Sequence, residues 1–109
     1  MTTNNNTYDP RGDKNTAKSV RPWGDIHMVV RNQCCSVDLT HVRPGERASL
    51  HSHKVRTELF HFLDDGAYLE VDGVISRPIA HEEQMMYPGM KHRFWAKEQE
   101  FRMLAVSFG

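Results

Sequence analysis

From Arg21 onward the chain is a series of short segments in which apolar and polar residues alternate or β-branched residues cluster. The stretch VDLTHV at 37–42 has the period of two that places successive side chains on opposite faces of a strand. Turn signals separate the segments, and the Asp72–Gly73 pair is typical of a tight hairpin. The pattern predicts strands at 25–31, 37–42, 47–53, 57–63, 67–71, 74–79, 84–87, 92–96 and 101–108.

The spacing of these segments predicts an all-β domain. No stretch keeps a helical period over three turns, and short strands between regular turns are typical of a sandwich or barrel. Residues 1–19 are rich in Asn, Thr, Asp and Lys, with Tyr8 as their one large apolar anchor, so they cannot bury enough surface to offset the entropy of ordering. We therefore predict a disordered or arm-like tail at 1–19 and a single domain at 20–109.

The charge balance narrows the classes of partner. Lys and Arg together number 14, as do Asp and Glu, and this argues against a nucleic-acid partner and against an anionic membrane surface. The chain has no apolar run near the ~18 residues of a membrane span, and no secretory signal is visible. We expect a cytoplasmic protein that binds a small molecule. We also expect a homodimer, because open sheets expose edges and apolar faces that need covering.

Two histidines and a glutamate stand close together in the sequence. His51 and His53 are two residues apart, so a strand projects both imidazoles to the same face. Glu58 shares the face of its predicted strand with Phe60 and Phe62. A carboxylate among aromatic side chains is costly to bury without a positive partner, and a divalent metal is one such partner.

A fourth ligand is available after the turn at Pro88–Gly89. His92 starts a predicted strand and shares its face with Phe94, and the turn can return its imidazole into the mouth of a barrel. The predicted metal ligands are therefore His51, His53, Glu58 and His92. Three histidines and a glutamate suit a divalent transition metal, and the candidates are Zn, Mn, Fe, Co and Ni.

Two stretches resemble the motifs of the cupin superfamily. GERASLHSHKVRTE, from Gly45 to Glu58, is similar to the first motif, G-x5-H-x-H-x3-4-E, and YPGMKH, with Gly89 and His92, is similar to the second, P-x-G-x2-H. The resemblance covers about residues 21–108. It implies a double-stranded β-helix, or jelly roll, with a metal held in the barrel mouth by the same four residues.

A narrower resemblance concerns RPWG at 21–24 together with VRPGERASLHSH and YPGMKHRF. These stretches look like the cupin domain that ends type II mannose-6-phosphate isomerases and bifunctional mannose-1-phosphate guanylyltransferases. The resemblance implies interconversion of mannose 6-phosphate and fructose 6-phosphate at a divalent metal, which can polarise the sugar carbonyl while a base moves the proton. The chain departs from the family's usual residues at His51, Lys54, Val55, His81, Tyr87 and Ala96.

Three functions are compatible with this sequence. The first is a metal-dependent enzyme that isomerises or epimerises a sugar phosphate or a similar polar small molecule. The second is an iron-dependent cupin dioxygenase that uses the same four ligands. The third is a non-catalytic cupin module that binds a ligand or serves as an accessory subunit, since the chain has only 109 residues.

Several residues are candidates for binding a substrate beside the metal. We expect Arg47 to meet an anionic group, because in a regular strand it shares the face of His51 and His53. The predicted substrate-binding residues are Arg47, Phe60, Phe62 and Phe94. Further candidate cations are Arg56, Lys91 and Arg93, and His41 or His61 can act as a base only if the fold places it in the cavity.

Overall fold

The computed structural model of the chain describes residues 18–32 and 34–108, and every helix or strand in these ranges is a β-strand. The strands are β1 (Lys18–Arg21), β2 (Gly24–Arg31), β3 (Cys35–Val42), β4 (Thr57–Phe62), β5 (Ala67–Val71), β6 (Val74–Ser76), β7 (Glu83–Met86), β8 (His92–Ala96) and β9 (Phe101–Phe108). The described ranges hold no helix long and apolar enough to cross a membrane. The all-β prediction is confirmed.

Most predicted strands are present, with ends that shift by up to three residues. The largest shift is in β6, which ends at Ser76 rather than at residue 79. The sequence pattern missed β1, which pairs with β2 through the Lys18–His27 and Arg21–Gly24 registers. Lys18 and Ser19, which the sequence assigned to the tail, belong to β1. The rest of the predicted tail, residues 1–17, lies outside the described part of the chain and stays a prediction.

The strands form two antiparallel sheets. The larger sheet has the order β1-β2-β3-β9-β4-β7, and the smaller one has the order β6-β5-β8. Neighbours in the larger sheet come from distant parts of the chain, since β9 lies between β3 and β4. The arrangement is the double-stranded β-helix, or jelly roll, that the sequence predicts.

The predicted strand at 47–53 is the one that the structure does not contain as a regular element. This segment runs antiparallel to β8 but has only isolated bridges, between Arg47 and Trp95 and between His51 and His92. Arg47 and His51 are four residues apart, whereas their partners Trp95 and His92 are three residues apart. The segment therefore carries one extra residue relative to β8, as in a β-bulge. The bulge breaks the alternation of faces on which the prediction depended.

An apolar core fills the space between the two sheets. Its largest fully buried side chains include Phe60, Phe62 and Phe101, and Phe94 lies within 6.3 Å of the Phe101 ring centre. The core continues towards one end of the barrel, where Phe60 lies 5.6 Å from the ring of His92. The core therefore extends up to the histidine cluster through the ring of Phe60.

The glycines of the two motif stretches occupy turns that need a left-handed backbone. Gly45 has a φ of 78° and Gly89 has a φ of 87°, values at which side chains other than hydrogen are strained. Gly89 also donates its N–H to the carbonyl of His53 over 2.8 Å. The second turn therefore anchors the segment of His53 next to the strand of His92.

Candidate metal centre

The structure brings the four predicted ligands together. One ligand atom from each of His51, His53, Glu58 and His92 can be chosen so that all four atoms lie within 4.8 Å of one another. Glu58 comes from β4 and His92 from β8, while both other histidines lie on the bulged segment between β3 and β4. Backbone hydrogen bonds in both directions between His51 and His92, of 3.0 and 2.8 Å, hold the segment against β8.

Backbone carbonyls set the proton positions of two of these imidazoles. Nδ1 of His51 lies 2.9 Å from the carbonyl oxygen of Ser49, and Nδ1 of His92 lies 3.1 Å from that of Met90. A carbonyl oxygen only accepts hydrogen bonds, so each Nδ1 carries a proton and each neutral ring has its lone pair on Nε2. This is the tautomer that binds a metal through Nε2.

Glu58 is buried, and only one of its two carboxylate oxygens accepts a hydrogen bond from the described residues. Ser107 donates its hydroxyl to Oε2 over 3.0 Å. Oε1 lies 2.8 Å from Nε2 of His53 and 3.6 Å from Nε2 of His92, yet neither contact has hydrogen-bond geometry. Oε1 of Glu58 and Nε2 of His92 are both buried without a hydrogen-bond partner among the described residues, and such atoms need a positive centre. The donor set therefore fits a divalent transition metal.

The charges in the cluster also favour a cation. Burial acts to raise the pKa of Glu58, but the contacts of His92, His53 and Ser107 outweigh it and lower that pKa from 4.5 to about 2. Burial lowers the pKa of His53, although the carboxylate of Glu58 opposes this effect. At neutral pH the carboxyl group is ionised and His53 is neutral, and these are the states in which both groups bind metals.

The cluster opens on a cavity of about 430 Å³ between the sheets. Phe60 and Phe94, two of the predicted substrate-binding residues, contribute to its wall, and Trp23 packs edge-on against Phe94 at 5.3 Å between ring centres. The cavity is lined by Arg21, Trp23, Ile26, Asp38, Thr40, Ala48, Ser49, His51, His53, Arg56, Glu58, Phe60, Phe94, Met103 and Ala105.

Two of the predicted substrate-binding residues lie elsewhere. Phe62 is 0% exposed and packs on Phe101 at 6.1 Å, one layer below the cavity, because Phe60 stands between it and the cluster. Arg47 is exposed and pairs with Trp95, and it is absent from the cavity wall. The bulge between Arg47 and His51 is the physical reason, because an extra residue moves Arg47 off the face that the histidines share.

The cavity wall formed by β3 was not foreseen. Asp38 and Thr40 line the cavity, while Val37 and Leu39 point to the outer face of the larger sheet. The alternation at 37–42 was visible in the sequence, but polarity alone suggests that the apolar set faces inward. The register of β3 with β9 decides the opposite, since Thr40 pairs with the buried Met103.

The other candidate residues divide between the cavity and the surface. Arg56 lines the cavity, and its Nη2 atom lies 3.2 Å from Nδ1 of His53. Arg93 instead pairs with Glu70 at 2.9 Å, and Lys91 is exposed outside the cavity wall. His41 and His61 are also absent from the wall, so the candidate bases named from the sequence do not reach the cavity.

Comparison with protein families places these observations in context. Residues 9–100 match the model of the family described as mannose-6-phosphate isomerase C-terminal. A search of curated protein sequences finds no match. The family match and the structural similarities below confirm the resemblance to cupins that the two sequence motifs carry.

Solved structures with the same fold have diverse sequences. KdgF from Halomonas sp. is 13% identical, with a TM-score of 0.77 over 83% of this chain and 82% of that protein. A cupin protein from Bacteroides fragilis is 19% identical, with a TM-score of 0.70 over 83% and 80% of the two chains. The DMSP lyase DddQ from Ruegeria pomeroyi is 14% identical, with a TM-score of 0.74 over 80% and 47%. These identities are so low that the likeness shows the fold alone.

Proposed function

Because the chain belongs to the family of mannose-6-phosphate isomerase C-terminal domains, we propose that it is a metal-dependent enzyme that isomerises or epimerises an anionic sugar, with sugar phosphates as the first candidates. One observation carries the proposal. The Nε2 atoms of His51 and His92 and the unpartnered oxygen of Glu58 converge beside a cavity that also contains two arginines.

The four ligands of the cluster would hold the metal. A bound divalent metal supplies Lewis-acid polarisation of a sugar carbonyl. The chain contributes the orientation of the ligands, because the carbonyls of Ser49 and Met90 keep the lone pairs of two imidazoles on Nε2. Ser107 holds the carboxylate of Glu58 by its second oxygen and leaves Oε1 available.

Two guanidinium groups support an anionic substrate. Arg56 lies next to His53, so an anionic group bound by it would stand close to the metal ligands. Arg21 lines the same cavity. Guanidinium groups stay protonated and match phosphate and carboxylate oxygens with paired donors. The cavity is therefore suited to an anion rather than to a neutral or cationic ligand.

Aromatic side chains form the wall of the site on the side of the core. Trp23, Phe60 and Phe94 form the apolar part of the cavity wall and stand between the cluster and the core. An apolar floor strengthens the electrostatic interactions of the charged groups above it, because fewer water molecules compete with them.

The test is turnover of mannose 6-phosphate and fructose 6-phosphate by protein loaded in turn with Zn, Mn, Fe, Co or Ni. We expect conversion with at least one metal, its loss in Glu58→Ala, and a KM raised about tenfold in Arg56→Gln, since one charged hydrogen bond is removed. Lys91→Gln, which removes a positive charge outside the cavity, is the matched control and keeps the KM.

Other outcomes would favour the alternatives derived from the sequence. Oxygen consumption that occurs only with iron would point to a dioxygenase. Tight binding of the sugar phosphates without conversion would point to a ligand-binding module. Absence of conversion with every metal, in protein whose metal content is confirmed, contradicts the isomerase proposal.

A further inference from the structure

The wall of the cavity opposite the histidine cluster carries a carboxyl group that the metal site does not use. Asp38 is on β3, whose register places it beside Ala105 on β9, and Ala105 is in turn beside Phe60 on β4. The neighbouring inward position on β9 is Ser107, the partner of Glu58. Because β9 presents only these small side chains here, open space separates the carboxyl group of Asp38 from the ligand cluster.

Asp38 lacks the hydrogen bonds that a carboxylate of this kind needs. Its Oδ1 atom is buried without a partner among the described residues, and Nη2 of Arg31 lies 3.6 Å away, beyond hydrogen-bond distance. Burial raises the pKa of Asp38, although Arg31 opposes the effect. A carboxylate that lines a cavity with so few donors is incomplete, and it gains stability from a donor that enters the cavity.

The character of the cavity restricts what that donor can be. An ionised carboxylate only accepts hydrogen bonds, so the group facing Asp38 must be a donor, and on a small ligand the common donors are hydroxyl, amide and ammonium groups. Arg21 and Arg56 line the same cavity, and the ligand cluster is built for a further positive charge. An ammonium group would meet repulsion there, whereas a hydroxyl group on an anionic molecule would not.

We propose that Asp38 selects hydroxylated anions by accepting a hydrogen bond from a ligand hydroxyl group, on the wall of the cavity that faces the metal ligands. This deepens the proposed function, on which it rests for the identity of the cavity, because it assigns recognition of the substrate's hydroxyl groups to Asp38. Thr40 is the next residue along β3 whose side chain faces inward. Its hydroxyl group can both donate and accept a hydrogen bond, so it offers a second group that can bind a ligand hydroxyl.

Calorimetry on metal-loaded protein with matched pairs of ligands tests the proposal. One pair is mannose 6-phosphate and hexyl phosphate, and the other is gluconate and hexanoate; each pair shares an anionic group and six carbons but differs in hydroxyl groups. We expect the wild type to bind the hydroxylated member of at least one pair more tightly. Asp38→Asn should reduce that preference by about tenfold, which corresponds to one charge-assisted hydrogen bond.

The control is Asp25→Asn, the same substitution on β2 at the outer face of the same sheet, where Asp25 contacts His27 at 3.1 Å. It should leave the preference unchanged. Thermal unfolding separates an effect on binding from an effect on stability. If Asp38 serves only as the partner of Arg31, Asp38→Asn would lower the melting temperature without altering the ligand preference. An unchanged preference in Asp38→Asn overturns the proposal, as does a wild type that prefers the hydroxylated member of neither pair.

These results are independent of the turnover test. A protein that converts sugar phosphates and keeps its preference in Asp38→Asn refutes the role of Asp38 alone. A protein that shows the Asp38-dependent preference without turnover refutes the isomerase proposal and retains the selectivity for hydroxylated anions.

Discussion

Histidines occur both inside the barrel mouth and on the outer face of the larger sheet, and the two groups have different partners. On the outside, His61 has Glu83 at 2.8 Å, and His27 has Asp25 at 3.1 Å. His41 lies between Asp25 at 3.5 Å and Glu100 at 3.6 Å. Each of these three imidazoles therefore has an acid of its own or shares one with a single neighbour.

Inside, three imidazoles converge on the single carboxylate of Glu58. The ring centres of His51 and His92 are 4.4 Å apart, and two of the rings direct their Nδ1 protons away from the centre to backbone carbonyls. Nε2 of His92 and Oε1 of Glu58 are left without a hydrogen-bond partner among the described residues. An outer histidine–acid pair is complete by itself, whereas the inner cluster is complete only with a cation.

The largest expected effect separates these two groups directly. His92→Ala and His61→Ala remove the same side chain from the inner and the outer group. We expect His92→Ala to lower the metal content of purified protein by about tenfold or more, because it deletes a ligand, and His61→Ala to leave it unchanged. Elemental analysis of both variants measures this. Equal metal content in the two variants would show that the inner cluster does not bind the metal.

The next effect concerns how the stability of the metal-free protein depends on pH. The pKa of Glu58 falls from 4.5 to about 2 on folding, so its carboxylate stabilises the fold fully above about pH 4.5 and loses this effect as the pH falls towards 2. Urea unfolding of metal-stripped protein at pH 6 and pH 3 should show a smaller change in Glu58→Gln than in the wild type. The same change in both would exclude Glu58 as its source.

A smaller effect is expected for the residue that orients Glu58. Ser107→Ala removes the hydroxyl that donates to Oε2 and leaves the ligand atoms in place. Metal affinity should fall about 10- to 100-fold, as is usual when the hydrogen-bond partner of a ligand is deleted. Competition with a chelator measures the affinity. Ser76→Ala, on the exposed strand β6, is the control, and equal affinities for the two variants would argue against an orienting role.

The smallest effect belongs to an exposed ion pair near the outer face. Arg102 donates to both carboxylate oxygens of Asp64, and these hydrogen bonds lower the pKa of Asp64. The pair is largely solvated, so Asp64→Asn should lower the free energy of unfolding by no more than about 1 kcal/mol, and 1 M salt should reduce the difference. Denaturant unfolding at two salt concentrations tests this. A large, salt-independent loss would show that the pair is not screened.

The outer face also bears on the homodimer expected from the sequence. Leu39 and Leu104 are paired across β3 and β9, and Val106 continues the apolar surface; all three are only half-buried. The homodimer stays a prediction, and light scattering during gel filtration at micromolar concentration measures it. A monomer under these conditions would contradict it.

The sequence by itself determined eight of the nine strands, β2 to β9, and the four metal-ligand candidates. Turn glycines and period-two alternation are local properties, so the strands could be located within a few residues. His51, His53 and Glu58 are close in the sequence, and the turn at Gly89 brings His92 in from a distance with a backbone conformation that the residue type itself indicates. The match to known motifs then supplied the spatial connection between the two stretches.

Only the tertiary structure decided which faces line the cavity. The place of Arg47 depends on one extra residue in the pairing of its segment with β8, and the inward orientation of Asp38 depends on the pairing of β3 with β9. Both are long-range registers, and a shift of one residue reverses every side chain of a strand. The candidate metal ligands were therefore accessible from the sequence, whereas the other residues that line the cavity emerged only when distant strands were aligned.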